Sequence, residues 1–265
     1  DNLSPELKTF ALTDNQNTLR NLVFKSVFET DLPLARELLA ISPNLFNSRI
    51  SSSFKYLYCP QAIRGRTPLE FCVRYGQLKM LDFLLIEKGA KLKGSCLLHV
   101  ACKSNHVGIL CRLLRDPKWK KMVDSVDIHN LTPLYYAVRS RNVRLVQHLL
   151  DAGADVNKHI CKTKPPPFML ACINNQMEIV DMFLKKKVDV SNCKLEATGT
   201  TPLHRLATKE TSQSMEIIKL LLVQDPHLIN KTDIRANTPL HFAVKHASFD
   251  IADLLLQHNA RLDVL

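Results

Sequence analysis

A four-residue pattern returns six times along the chain, and no other feature restricts its fold as tightly. It reads Thr67-Pro68-Leu69-Glu70, Cys96-Leu97-Leu98-His99, Thr132-Pro133-Leu134-Tyr135, Pro166-Pro167-Phe168-Met169, Thr201-Pro202-Leu203-His204 and Thr238-Pro239-Leu240-His241. The steps between copies are 29, 36, 34, 35 and 37 residues. A period of this size marks stacked units, each too small to bury its apolar face alone. The tetrapeptide itself has a physical reading. Thr can cap a helix by accepting backbone N–H bonds, and Pro fits the first helical turn, where no bond is lost. The Leu that follows enters a core.

Behind each copy lies a second helical pattern. Val143–Leu150 and Phe249–Leu256 place apolar residues at i, i+3 and i+4, the spacing of an amphipathic helix. Ala152-Gly153-Ala154-Asp155-Val156-Asn157 and Asn259-Ala260-Arg261-Leu262 then supply a Gly or Asn, the residues that stop a helix in the left-handed region.

These residues resemble the ankyrin repeat, a turn plus two helices with the signature Thr-Pro-Leu-His-x-Ala. The resemblance runs from about residue 18 to 265 and is tightest over 236–262 and 131–157. It implies an all-α solenoid of about seven helix–turn–helix repeats joined by β-hairpin-like turns. The expected organisation is one domain over 1–265: a degenerate first repeat at about 17–48, an insertion at 49–61, and repeats starting near 62, 91, 127, 160, 196 and 233. The first repeat has a helix pair (Leu22, Phe24, Val27 and Phe28, then Leu34, Leu38 and Leu39) but no tetrapeptide. The insertion is Ser-rich and carries Phe54, Tyr56 and Tyr58. Repeat five has Pro166 where Thr belongs, so its cap should be missing. Repeat six holds three extra residues near Thr208–Ser214. Asp116-Pro117 and Asp225-Pro226 replace the Gly-Ala-Asp stop in repeats three and six. The chain starts without Met and ends on the apolar Leu254-Leu255-Leu256 repeat, so it is expected to be part of a longer protein.

Composition adds charge and redox information. The formal net charge is +11. Residues 87–187 hold 18 Lys and Arg against 8 Asp and Glu, whereas 1–86 hold 10 against 8 and 188–265 hold 8 against 9. The eight cysteines form no CxxC pair; Cys72, Cys102 and Cys172 recur at a small, buried repeat position and read as free thiols. That argues for a cytoplasmic or nuclear protein. No stretch approaches the roughly 18 apolar residues of a membrane span.

No catalytic constellation stands out. His99, His204 and His241 fall on the fourth signature position, where the resemblance implies a structural donor tying one loop to the next. Cys96, His99, Cys102 and His106 have a loose metal-like spacing, but three of them are repeat-defining positions, so packing explains them. Glycine-rich phosphate loops and paired carboxylates are absent from the sequence. The expectation is a non-enzyme with no cofactor and no metal.

A partner of such a stack is expected on its concave side, formed by turn tips and first helices. The position two residues beyond the signature Ala reads Arg74, Lys103, Arg139, Ile173, Thr208 and Lys245; the next reads Tyr75, Ser104, Ser140, Asn174, Lys209 and His246. Equivalent positions of adjacent repeats stand about 10 Å apart in such a stack. Four of the six are basic, a stripe suited to an acidic, extended ligand. The turn tips add Arg64, Arg66, Lys91, Lys93, His129, Lys158, His159, Lys162 and Lys164. Tyr75 would be an aromatic anchor. The candidate site is therefore Arg64, Arg66, Arg74, Tyr75, Lys103, Ser104, His129, Arg139, Ser140, Lys158, Lys162, Asn174 and Lys245. Lys118, Lys120 and Lys121 around Trp119 read as a second basic cluster in a loop, and Lys185–Lys187 as a run favoured by a helix C-terminus. Asn157 resembles the turn asparagine that intracellular hydroxylation targets in this family.

The leading expectation is a protein-protein interaction module, a scaffold or adaptor, that binds an acidic peptide or protein as a monomeric domain. The alternatives are a substrate-recognition subunit of a ubiquitin ligase, or a sensor for RNA, an oligonucleotide or a phosphoinositide. The last is favoured by the basic block and disfavoured by the lack of aromatics among the basic groove residues.

Overall fold

The computed structural model describes residues 16–42, 67–86 and 96–262. The insertion at 49–61, Arg64, Arg66 and the turn lysines Lys91 and Lys93 lie outside these residues. The described residues form fifteen α-helices and one 3-10 helix, with no strand. They fall into two compact units, one reaching to Leu113 and one from Leu114 onward.

The first unit holds α1 (Gln16–Glu29), α2 (Leu32–Ile41), α3 (Pro68–Tyr75), α4 (Leu78–Ile86), α5 (Leu97–Lys103) and most of α6 (Val107–Leu114). α1 packs on α2 and α3, and α3 packs on α4 and α5. The second unit holds α7 (Pro117–Lys120), α8 (Pro133–Arg139), α9 (Val143–Asp151), α10 (Pro167–Ile173), α11 (Met177–Lys185), α12 (Pro202–Leu206), α13 (Ser212–Gln224), the 3-10 helix (Pro226–Asn230), α14 (Pro239–Lys245) and α15 (Phe249–Gln257). Here the first helices α8, α10, α12 and α14 pack in a row. The second helices α9, α11 and α13 make a parallel row behind them. Each unit is thus a solenoid of helix pairs with mainly nearest-neighbour packing.

The signature residues act as expected. Thr67 and Glu70 form a reciprocal capping box, each side chain bonding the other's backbone N–H at 3.2 Å. Thr132 Oγ1 accepts from Tyr135 N at 3.3 Å. Pro166 gives α10 no side-chain cap, as does Cys96 for α5. The Leu position is buried in every copy, through Leu69, Leu98, Leu134, Phe168, Leu203 and Leu240. Two neighbouring small positions are buried, not one. Cys72 shares its place with Ala101, Ala137 and Ala171, while Cys102 and Cys172 occupy the next, with Val73 and Val138. Burial pushes all three thiols well above the ordinary value.

Six of the seven helix pairs turn on one left-handed residue: Thr30, Gly76, Asn105, Arg141, Asn175 and Ala247, with φ between 54° and 73°; the α12–α13 pair of repeat six has none. After Gly76, Asn105 and Asn175 the next residue reaches back one repeat. Gln77 Nε2 donates to Phe28 O at 3.2 Å, and Gln176 Nε2 donates to Val138 O at 3.0 Å. His106 Nε2 lies 2.9 Å from Arg74 O. In repeat six the extra residues put Lys209 Nζ in this place, 3.0 Å from Ile173 O. These side chains satisfy carbonyls at first-helix C-termini that the helix leaves unpaired.

Both Asp-Pro pairs start an extra helix. Asp116 Oδ1 accepts from Lys118 N at 2.9 Å, and Asp225 Oδ1 from His227 N at 3.0 Å. The cluster around Trp119 is therefore not a loop. Trp119 is fully buried beneath the four-residue α7, and its flanking lysines are exposed because the indole faces inward.

Candidate interaction surface

The turns between repeats are closed by side chains that bond across the repeat interval. Asp155 N donates to Asp124 Oδ1 at 3.0 Å, Asp189 N to Asn157 Oδ1 at 2.9 Å, and Arg261 N to Asn230 Oδ1 at 2.9 Å. Ser191 Oγ donates to Asp225 Oδ2 at 2.6 Å. At the tips, Asp127 N donates to Leu131 O and Asp233 N to Asn237 O, each over a left-handed residue, Asn130 or Ala236. Asn157 thus has a structural post at the point where one turn grips the next.

The signature histidine has the same function at His204. Thr201 N donates to its Nδ1 at 3.1 Å, and Thr201 Oγ1 lies 2.8 Å from that nitrogen. Its Nε2 lies 2.9 Å from Asn237 O in the following turn. This arrangement needs the neutral tautomer with the proton on Nε2. Burial, opposed by the Asn237 carbonyl and Asp233, holds the ring pKa below its ordinary value.

The predicted partner-binding residues divide between the units. In the first, Arg74 is half-buried, Lys103 is exposed and Ser104 ends α5. Tyr75 is exposed but its ring packs on Phe71, centroid to centroid at 4.4 Å. In the second, Arg139 and Lys245 are exposed at the last residues of α8 and α14, and Asn174 is half-buried at the end of α10. His129 is exposed at a turn tip, Lys158 is half-buried and Lys162 is exposed. Ser140 spends its hydroxyl on Ala137 O at 2.9 Å. Arg74, Lys103, Arg139 and Lys245 each sit in a last helical turn, where the helix dipole favours a cation regardless of any ligand.

Sequence reasoning did not find the cleft between the turn after α9 and the turn after α11. It encloses about 380 Å³. Val156, Ile160, Pro166, Phe168 and Val188 give it an apolar lining, and Lys162, Lys194, Asn192 and Glu196 a polar one. Of its lining, the sequence singles out Lys162 and His159 as turn-tip residues and Asn157 as a turn asparagine. Pro166 and Phe168 belong to the repeat-five tetrapeptide, and the rest come from two equivalent turns of adjacent repeats, which share Asp155-Val156 and Asp189-Val190 but differ in their lining side chains. Beside it, burial holds the His159 ring below its ordinary pKa despite hydrogen bonds to the Cys161 and Lys164 backbone. Burial alone would raise the Cys161 thiol, but hydrogen bonds from Thr163 and Lys164 outweigh it and its pKa lies low. Cys193, buried in the cleft wall, is pushed up to about 12.

A family model described as "Ankyrin repeats (3 copies)" matches residues 91–160 and 167–265, and one described as "Ankyrin repeat" matches 64–94. The chain belongs to the ankyrin-repeat family. Among curated proteins it is similar to inversin from Homo sapiens, 28% identical over 206 residues, which is 74% of this chain and 19% of that protein. It is also similar to the nuclear factor NF-kappa-B p105 subunit from Gallus gallus, 26% identical over 216 residues, 79% of this chain and 21% of that protein. The chain spans about a fifth of these relatives' length. Among solved structures it resembles the human ASB11 ankyrin repeat domain, with a TM-score of 0.58 and 24% identity over 75% of this chain and 86% of that one. That likeness concerns the fold. Ankyrin repeats mediate protein-protein interaction and are typically not catalytic. No helix among the described residues is long and apolar enough to cross a membrane.

Proposed function

We propose that the chain is a scaffold or adaptor module that holds an acidic peptide or an acidic face of a protein. The observation that carries this reading is the recurrence of a cation at one first-helix position: Arg74 and Lys103 in the first unit, Arg139 and Lys245 in the second. The bonded turns and packed helix rows hold these side chains on rigid elements, which lowers the ordering cost of binding. Lys158 and Lys162 extend the positive surface onto the turns of the second unit. RNA fits less well, because Tyr75 is the sole Phe, Tyr or Trp among the groove positions and its ring packs on Phe71. The module acts as a monomer, without catalysis of its own, inside the cell.

The test is capture of partners from cell lysate on the native chain and on Arg74→Glu/Lys103→Glu/Arg139→Glu, read by mass spectrometry. The expected result is loss of partners carrying acidic segments from the triple variant, with helical content by circular dichroism unchanged. Recovery of the same partners on both would show the cations to be solvated helix ends and would overturn the proposal.

A further inference from the structure

The cleft between the turns after α9 and α11 has features that packing alone does not require. Phe168 and Val188 line it from the core, but Ile160 at its edge is 47% exposed, so apolar surface stays open to solvent. Two exposed lysines, Lys162 and Lys194, flank that surface, and neither is in an ion pair among the described residues. Of the two carboxylates in the lining, Glu196 is exposed and Asp189 is engaged. Asp189 accepts from Asn192 N at 3.0 Å and Asn192 Nδ2 at 2.8 Å, and these bonds hold its pKa below the ordinary value. Residues 155–166 and 187–196 together hold five lysines against three carboxylates. The cleft is also stiff. Pro165, Pro166 and Pro167 fix three backbone angles on one wall, and the Asn157–Asp189 bond ties that wall to the other.

We propose that this cleft is the anchoring pocket for an extended acidic segment, taking one apolar side chain while the carboxylates beside it pair with Lys162 and Lys194. This rests on the reading of the chain as a binder of acidic segments. The volume is at the low end for a ligand site and leaves room for an apolar side chain. The neighbouring tips favour an extended occupant. Ile128 and Ile234, 91% and 70% exposed, stand at the same distance before Pro133 and Pro239 as Lys162 does before Pro167. With Ala197 as the equivalent before Pro202, a peptide lying along the tips of the second unit would meet Ile128, Lys162, Ala197 and Ile234 in order. A preformed pocket beside unpaired cations has the anatomy of a hot spot, with an apolar anchor at the centre and charge at the rim.

The experiment pans a random-peptide display library on the folded chain, then measures the enriched peptides on three variants. Lys162→Glu/Lys194→Glu reverses the rim, Glu196→Trp plugs the mouth from an exposed position, and Arg139→Glu/Lys245→Glu reverses cations outside the cleft. Melting curves confirm that each variant is folded. The expected peptides carry an apolar residue next to acidic ones and bind both cleft variants about tenfold more weakly, the scale of one hot-spot contact. Acidic peptides that bind both cleft variants as tightly as the native chain, but lose affinity for Arg139→Glu/Lys245→Glu, would overturn the pocket and leave the proposed function standing. Enriched peptides without acidic residues would overturn both.

Discussion

At the residue scale, single side chains set the geometry of the inter-repeat bonds. Gly76 is the clearest case. Its φ is 73°, and a Cβ placed there would lie 2.8 Å from His106 Cε1 and 2.9 Å from Nδ1. Gly76→Ala should therefore strain the backbone and push the imidazole off the Arg74 carbonyl. The expected cost is about 2–3 kcal/mol, from the left-handed penalty plus one lost hydrogen bond. Urea unfolding checks it; an unchanged midpoint would mean the loop rearranges freely. His204 makes a second prediction. Its folded pKa is depressed, so above the ordinary value of about 6.5 the ring is neutral in both states and its bonds are intact. As pH falls below that, the unfolded chain takes up a proton that the folded chain resists, and stability declines through the folded pKa. The ring should titrate below about 6.5 by NMR, and the urea midpoint should fall as the pH drops from neutral into the mildly acid range. A ring that titrates above 6.5 would contradict the neutral, doubly bonded histidine.

At the scale of elements, the sequence was legible wherever the tetrapeptide stands. The six first helices start at Pro68, Leu97, Pro133, Pro167, Pro202 and Pro239, each one residue into a motif copy. The missing cap at Pro166 and the longer loop of repeat six were legible too, because Thr, Pro and spacing have direct local consequences. The short helices after Asp116 and Asp225 were not. Four or five residues carry no periodicity, and only the Asp cap with its Pro hints at them. Trp119 shows what that hides. Its neighbours made the segment look solvated, whereas the indole is fully buried. Trp119→Ala should cost about 3–5 kcal/mol, as for other large core truncations, and differential scanning calorimetry of the folded chain would read it. A loss under about 1 kcal/mol would place the residue at the surface after all.

At the scale of the whole molecule, charge and architecture carry the functional account. The excess of 18 basic over 8 acidic residues in 87–187 was plain in the sequence. Its placement was legible only in part. Lys103, Arg139 and Lys162 are exposed as expected, but Ser140 is used internally and Lys209 spends its ammonium on a carbonyl. The cleft was not legible, because it forms where the turns of two adjacent repeats meet, a tertiary event with no local signature.

The measurement that most directly tests the central claim is the affinity of an acidic segment from a captured partner as a function of salt. Three exposed ion pairs at about 0.5 kcal/mol each amount to about tenfold in affinity, most of it screened at high ionic strength. The account predicts that binding weakens by about that factor from low to high salt, and that Arg74→Glu/Lys103→Glu/Arg139→Glu is weak at every salt concentration. Affinity that stays flat with salt, and is unchanged in the triple variant, would contradict it.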